Sequence, residues 1–268
     1  MSWAEIFKAV NNNMKYPLNR QQHIPRTLVY TSDNTFVAPQ DGKYMVTVVG
    51  HGGKGGDSDV RNLSSSYSMY GGAGGGGGAV AKSILNLTKN TSVAITCNDS
   101  LSSFGSYLSA TAGANGAAGK SQSNSTPITG GAGGTASGGN IGNYSGKAGD
   151  NSTGAAGAKG GDAGLTTLSG FGTGRGGAGY LLMDNLSERS TGGKAGNGTT
   201  VSPTAGIAGG GSGGNGSVGY SGGDGGAALG GGGEGADGYG RNSDGGTTRG
   251  GQGGSGAVII EYLEEFFG

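Results

Sequence analysis

The chain has 268 residues, of which 68 are glycine, five are proline and only 13% are charged. Lysine plus arginine and aspartate plus glutamate both number 17, so the formal net charge is zero. This balance argues against a nucleic-acid partner, whose phosphates need a basic surface, and against electrostatic attachment to an anionic membrane. The single cysteine excludes a disulfide within one chain.

Residues 1–26 predict a short amphipathic helix followed by a linker. Ser2 and Glu5 have the spacing of a capping box at the start of the helix. The apolar side chains that share one helical face are Trp3, Ile6, Phe7 and Val10. A helix this short is marginal alone, so the face needs a partner for assembly. That partner is the body of the protein, sister chains of a homotrimer, or another component.

Residues 27–112 together with 256–268 predict a small β framework that resembles a sandwich. The predicted strands cover residues 28–30, 35–37, 43–50, 79–87, 91–97, 103–110 and 256–262. In residues 43–50 both alternating sets of side chains are largely apolar, which is typical of a strand covered on both faces. The apolar run at residues 258–260 needs a sheet partner, which we expect among the first framework strands.

Residues 113–255 form a glycine-rich insert with a period of three. Glycine recurs at every third position in residues 213–225, and shorter runs do the same in 113–119 and 154–160. A polyproline II helix has three residues per turn, so such spacing leaves one face without side chains. Neighbouring helices could then approach closely enough to bond to one another.

The sequence leaves two structures open for the insert, an ordered bundle and a disordered chain. Ordering a backbone costs about 1–2 kcal/mol per residue, and glycine loses the most freedom. Glycine, alanine and serine bury little apolar surface, so nearly every backbone group must be paired to offset that cost. We therefore expect a densely cross-bonded bundle closed by the terminal strand, with disorder as the alternative that composition alone suggests.

Four stretches occur in a set order along the chain, namely residues 36–53, residues 74–82, the step Ser102-Ser103-Phe104-Gly105 and residues 253–262. In order and spacing they resemble the glycine-rich adhesins of phage tail fibres. The opening Ser2-Trp3-Ala4-Glu5-Ile6 also resembles the start of some prophage tail proteins from Gram-positive bacteria. Together the four stretches extend over residues 35–263.

The resemblance implies a fold, a function and a place. It implies packed polyglycine II helices in the insert, with loops at one end that contact a protein or glycan on a bacterial surface. It places the domain at a fibre tip of a phage or phage-derived particle, beside other tail-fibre or baseplate proteins. Residues 1–20 lack the pattern of a signal peptide, so synthesis in the bacterial cytoplasm is expected. No membrane insertion is expected either.

The sequence does not predict an enzyme, a cofactor or a metal site. Gly172-x-Gly174-x-x-Gly177 lacks the strand and helix of a dinucleotide fingerprint, and so many glycines generate such matches by chance. Cys97 ends an apolar strand and is expected to pack as a small hydrophobe. Asp57 is more typical of a solvated loop than of a cation ligand.

The candidate receptor-binding residues are aromatic, apolar and arginine side chains in the loops that interrupt the glycine runs. They are Tyr67, Met69, Tyr70, Ile141, Tyr144, Phe171, Tyr180, Leu181, Leu182, Met183, Tyr239 and Arg241. The alternative is that these side chains seal the ends of the bundle or face sister chains. Two other functions stay open, namely a purely structural fibre protein and, less favoured, an ice-binding or matrix protein.

Overall fold

The computed structural model describes residues 27–60, 68–69, 71–122, 126–154, 157–164 and 246–263. These residues are mainly β-strand, and none of them lies in a helix. The strands are β1 (Thr27–Tyr30), β2 (Asn34–Val37), β3 (Gly42–Val49), β4 (Ser58–Val60), β5 (Ser68–Met69), β6 (Val80–Leu87), β7 (Ser92–Cys97), β8 (Leu101–Phe104), β9 (Leu108–Thr111), β10 (Ser121–Gln122), β11 (Ala136–Ser137), β12 (Gly142–Tyr144), β13 (Gly246–Thr248) and β14 (Ala257–Leu263).

Two antiparallel sheets of five strands each form the framework. Sheet A has the order β1-β14-β3-β6-β12, and sheet B has the order β11-β9-β8-β7-β2. β14 lies between β1 and β3, with Val258 opposite both Tyr30 and Val48. The prediction that the terminal strand pairs with the first framework strands is therefore confirmed. The chain enters sheet A at Thr27 and leaves it at Leu263, and we call this end the base.

The main core lies between the two sheets. Alternate residues of β3, including Tyr44, Val46 and Val48, point inward and join Phe36 and Phe104 from sheet B in one buried cluster. The Phe36 ring meets the Tyr44 ring edge-on, with centroids 5.6 Å apart, and lies 5.8 Å from the Phe104 ring. The sandwich-like framework expected from the alternation in β3 is thus present in the described residues.

The single strand predicted over residues 103–110 is wrong. The structure has a hairpin here, with β8 and β9 paired so that Phe104 lies opposite Leu108. Gly105 adopts a φ of 53°, a left-handed conformation that glycine reaches without steric cost. The chain reverses at this glycine, and the apolar alternation resumes on the next strand.

Seven extended segments continue away from the sheets, and we call them the glycine bundle. They are residues 50–57, 71–79, 112–119, 128–135, 145–152, 157–164 and 249–256. Backbone hydrogen bonds join neighbouring segments at every third residue, as when Gly50, Gly53 and Gly56 donate to the carbonyls of 79, 76 and 73. Two of the segments, 50–57 and 71–79, precede the predicted insert in the sequence.

The segment 71–79 is surrounded by five others. Its backbone groups bond to segments 50–57, 128–135, 145–152 and 157–164, and to the chain from residue 111 to 117. A Cβ added to Gly74 or Gly77 would overlap a carbonyl of 157–164, whereas one on Gly75 or Gly78 would overlap a carbonyl of 50–57. Gly76 faces a third segment, at the carbonyl of Ala132. The contacted neighbour therefore repeats every three residues.

Several predictions lie outside the described residues. They include the helix in residues 1–26 with Trp3, Ile6, Phe7 and Val10, and most of the insert beyond residue 164. Within the described chain, no helix is long and apolar enough to cross a membrane.

Candidate functional site

The end of the glycine bundle opposite the base is a cluster of loops, which we call the distal tip. The described residues that lie there, between consecutive bundle segments, are 58–60, 68–69, 120–122, 126–127 and 153–154, and residues 246–248 lead into the last segment. Antiparallel pairs join these loops, since β4 pairs with β13 and β5 pairs with β10. The bundle thus ends in loops that are held to one another by backbone hydrogen bonds.

Asp57 joins bundle segments at the point where the distal tip begins. Its carboxylate accepts a hydrogen bond from Lys54 Nζ at 2.7 Å and another from the Gly250 amide at 2.9 Å. Its backbone carbonyl also accepts from the Gly119 amide at 2.7 Å. One residue therefore ties three bundle segments together where the loops begin. Both side-chain contacts are made by Oδ1, and together with the backbone contact they give Asp57 a structural role in the described chain.

Of the predicted binding residues that the structure describes, Met69 lies at the distal tip. Met69 lies in β5 and is paired opposite Ser121. Tyr67 and Tyr70 flank β5 in the same loop, although both lie outside the described residues. The following candidates also lie outside them: Phe171, Tyr180, Leu181, Leu182, Met183, Tyr239 and Arg241.

Ile141 and Tyr144 lie at the other end of the bundle, beside sheet A. Ile141 donates its amide to the Lys82 carbonyl and is 45% exposed, whereas Tyr144 packs partly buried against Val80 and its neighbours. From Gly71 to Lys82 the chain runs in one direction, which at about 3.1 Å per residue corresponds to about 34 Å. The structure does not bring this pair together with the loop that contains Met69.

The chemistry available in the described residues is that of packing and ion pairing. Burial raises the pKa of the Cys97 thiol, which contacts the carbonyl of Tyr30 at 3.5 Å beside the main core. A raised pKa keeps a thiol protonated and a poor nucleophile at neutral pH. The hydrogen bond from Lys147 Nζ to Asp162, at 2.9 Å, raises the pKa of that lysine. Among the described residues, no three metal-ligating side chains cluster.

A protein-family model matches most of the chain. The family model described as "Glycine-rich domain" matches residues 29–263, from β1 to the end of β14. No curated protein matches the chain. The matched range includes both sheets and the whole glycine bundle.

Proposed function

The chain belongs to the glycine-rich domain family, and from this premise and the form of the distal tip we propose that it is a receptor-binding adhesin. In this proposal it sits at the tip of a phage or phage-derived tail fibre and recognises a protein or glycan on a bacterial surface. The partners on its other side are tail-fibre or baseplate proteins, and a homotrimer is one assembly that the face around Trp3 could form.

The separation of base and distal tip is the observation that carries this proposal. The chain enters and leaves sheet A at the base, where Thr27 pairs with Glu261 and Lys43 pairs with Leu263. The loops gather at the opposite end, about 22 Å beyond the sheets if residues 50–57 rise about 3.1 Å each. With attachment at the base, as proposed here, the loops at the other end would face outward as a binding surface. Loops held by a rigid scaffold are common places for binding residues.

We further propose that the bundle segments are polyglycine II helices. The repeat of three in both the hydrogen bonds and the glycine contacts supports this, because a polyproline II helix turns once in three residues. The bonds also run between segments, as a helix without internal hydrogen bonds requires. Apart from Gly42, Gly105 and Gly138, no described glycine has a positive φ. Glycine is therefore used in the bundle for its missing Cβ.

The surroundings of segment 71–79 support extension of the bundle into the undescribed insert. A helix with three donors and three acceptors per turn can bond to six neighbours, and the described residues supply five. The amides of Gly72, Gly75 and Gly78 are buried and have no acceptor among the described residues. Since buried amides are nearly always paired, we propose that another glycine repeat of residues 165–245 fills this sixth place.

Cell-binding measurements on the full-length chain test the receptor proposal. We expect the double substitution Tyr67→Ser and Tyr70→Ser at the distal tip to weaken binding to host cells. The matched control is Ile141→Ser, which removes an exposed apolar side chain at the sheet end and should leave binding unchanged. Both variants should keep a cooperative thermal transition. Equal binding by the tip variant, the control and the parent would overturn the assignment of the site to this loop.

A stiff spacer is the second candidate function, and the regular cross-bonding of the bundle favours it. It predicts that the parent protein has no measurable affinity for cells or cell-wall glycans. Replacement of residues 180–189 and 236–244 by glycine and serine extends the same test to the undescribed loops. Loss of binding there, with binding retained in the Tyr67 and Tyr70 variant, would move the receptor site to those loops.

A further inference from the structure

The outer face of sheet A, which is turned away from sheet B, is buried only near the bundle. Residues that pair directly lie on the same face, as Thr47 does with Ile259 and Val49 with Val80. All four side chains are at most 2% exposed. Nearer the base on the same face, Ile84 is 37% exposed. Val29, which pairs with Ile259 on the edge strand β1, is 43% exposed. Something therefore covers the half of this face next to the bundle as far as Ile259, and leaves the other half and the β1 edge open.

We call the covered half the upper patch and define it as Thr47, Val49, Val80, Ala257 and Ile259. Its four apolar members form a cluster of their own, separate from the main core, and among the described residues Tyr144 packs beside it. Sheet B cannot be the cover, because it packs on the opposite face. Thr47 Oγ1 is buried and has no hydrogen-bond partner among the described residues. A buried hydroxyl left unpaired destabilises the folded state. The cover should therefore carry polar as well as apolar side chains.

The bundle segment 157–164 leads to the upper patch. It bonds to segments 71–79 and 145–152, which both extend strands of sheet A, whereas 112–119 and 128–135 extend strands of sheet B. Gly161 and Gly164 donate to the carbonyls of residues 75 and 78, so the segment runs parallel to 71–79 and heads towards sheet A. A Cβ on Gly164 would lie 3.0 Å from the Val80 amide nitrogen, at the border of the patch.

We propose that residues 165–171, which follow Gly164 directly, dock on the upper patch as a third layer. This stretch reads Leu-Thr-Thr-Leu-Ser-Gly-Phe, with apolar residues at every third position and hydroxyls between them that can pair with Thr47. Residues 1–26 and 264–268 are two alternative covers that adjoin sheet A in the sequence. Both join sheet A at the base, where Ile84 is exposed, so the burial gradient favours a cover that arrives from the bundle. Phe171 then packs at the sheet end.

Thiol labelling under native conditions tests this docking. In a full-length Cys97→Ser parent, the Ala257→Cys thiol reports on the upper patch and the Ile84→Cys thiol reports on the open half. We expect slow labelling at position 257 and fast labelling at position 84. Adding Leu165→Asp and Leu168→Asp should speed labelling at 257 by about tenfold or more, because local opening governs access to a buried group. Labelling at 84 should not change.

Two further variants keep the test decisive. If the aspartate pair abolishes cooperative unfolding, Leu165→Ala with Leu168→Ala provides the milder change, and labelling at 257 should still accelerate. The matched control, Ile6→Asp with Phe7→Asp, should leave position 257 protected. Continued protection at 257 in both Leu165 and Leu168 variants overturns the proposal, as does exposure caused by the Ile6 and Phe7 variant. The labelling readout involves no receptor, so it is independent of the adhesin proposal.

Discussion

Glycine acts in this protein through the absence of a side chain more than through backbone freedom. Gly76 shows the reason, since its amide donates to the Ala114 carbonyl at 2.9 Å while its own carbonyl accepts from Gly53 at 2.8 Å. A Cβ at this position would overlap the carbonyl of Ala132 on a third segment. The backbones approach so closely that no side chain fits between them.

The substitution Gly76→Ala should therefore destabilise the protein severely. Relief of the clash requires the backbones to separate, which breaks hydrogen bonds, so we expect a loss of about 3 kcal/mol or more in the free energy of unfolding. Gly154→Ala is the matched control, because a Cβ there meets nothing within 4 Å. It should leave stability unchanged or slightly raised. Denaturant unfolding measures both values, and equal midpoints for the two variants would contradict the close-approach argument.

The protonation of Tyr44 makes the stability of the main core depend on alkaline pH. Burial raises the pKa of its phenol, and the nearby Tyr262 and Asp41 act in the same direction. The folded state then holds the proton more tightly than the unfolded state does. Its stabilising contribution is present below the ordinary tyrosine pKa of about 10 and is lost as the pH rises above it.

The substitution Tyr44→Phe should reduce stability at neutral pH but weaken the alkaline decline. The loss at neutral pH is about 1 kcal/mol, because the hydroxyl donates a hydrogen bond to the Gln40 carbonyl at 2.7 Å. Urea unfolding below and above the tyrosine pKa measures both effects. Tyr107→Phe removes the hydroxyl of a tyrosine that is 44% exposed, and it should not reproduce the loss of stability at neutral pH. An alkaline decline identical to that of the parent would show that other groups cause it.

At the scale of elements, alternation predicted the strands well wherever one or both faces are buried. β3, β6, β7 and β14 lie within a residue or so of their predicted bounds, because apolar alternation is a local property of the sequence. The hairpin of β8 and β9 was missed, since Gly105 reads as one small residue within an alternating run. Its left-handed conformation depends on the packing of both strands and has no separate signal in the sequence.

In the glycine bundle, the local sequence pattern predicts that segments make close contacts but not which segments are neighbours. The spacing of three predicted close contacts between segments, but it could not say which segments meet. The neighbours of 71–79 come from distant parts of the chain, since Gly131 donates to the carbonyl of Gly74 and Gly77 donates to the carbonyl of Lys147. For the same reason the position of Ile141, far from the distal tip, could not be inferred, because it depends on the pairing of β12 with β6.

At the scale of the whole molecule, the sheets and the bundle have no boundary between them. β3 runs straight into segment 50–57, and segments 71–79 and 249–256 run straight into β6 and β14. A displacement of these bundle segments would therefore also displace the strands of sheet A that continue them. If the bundle unfolded separately from the sheets, we would expect an interruption in the hydrogen bonding where the two meet. In the described chain the hydrogen bonding is continuous across this junction, at Gly50 and Ala79.

We therefore expect the described core and the glycine bundle to unfold in one cooperative transition. Native-state hydrogen exchange should give similar opening free energies for the amide of Gly76 in the bundle and that of Val46 in sheet A, because both report global unfolding. Gly76→Ala should lower the two by the same amount, although Val46 lies well away from the substituted residue. Calorimetry should show a single peak whose van't Hoff enthalpy equals the measured enthalpy. Two peaks, or a loss of protection confined to the bundle, would mean that the sheets fold without it and that the bundle is a separable layer.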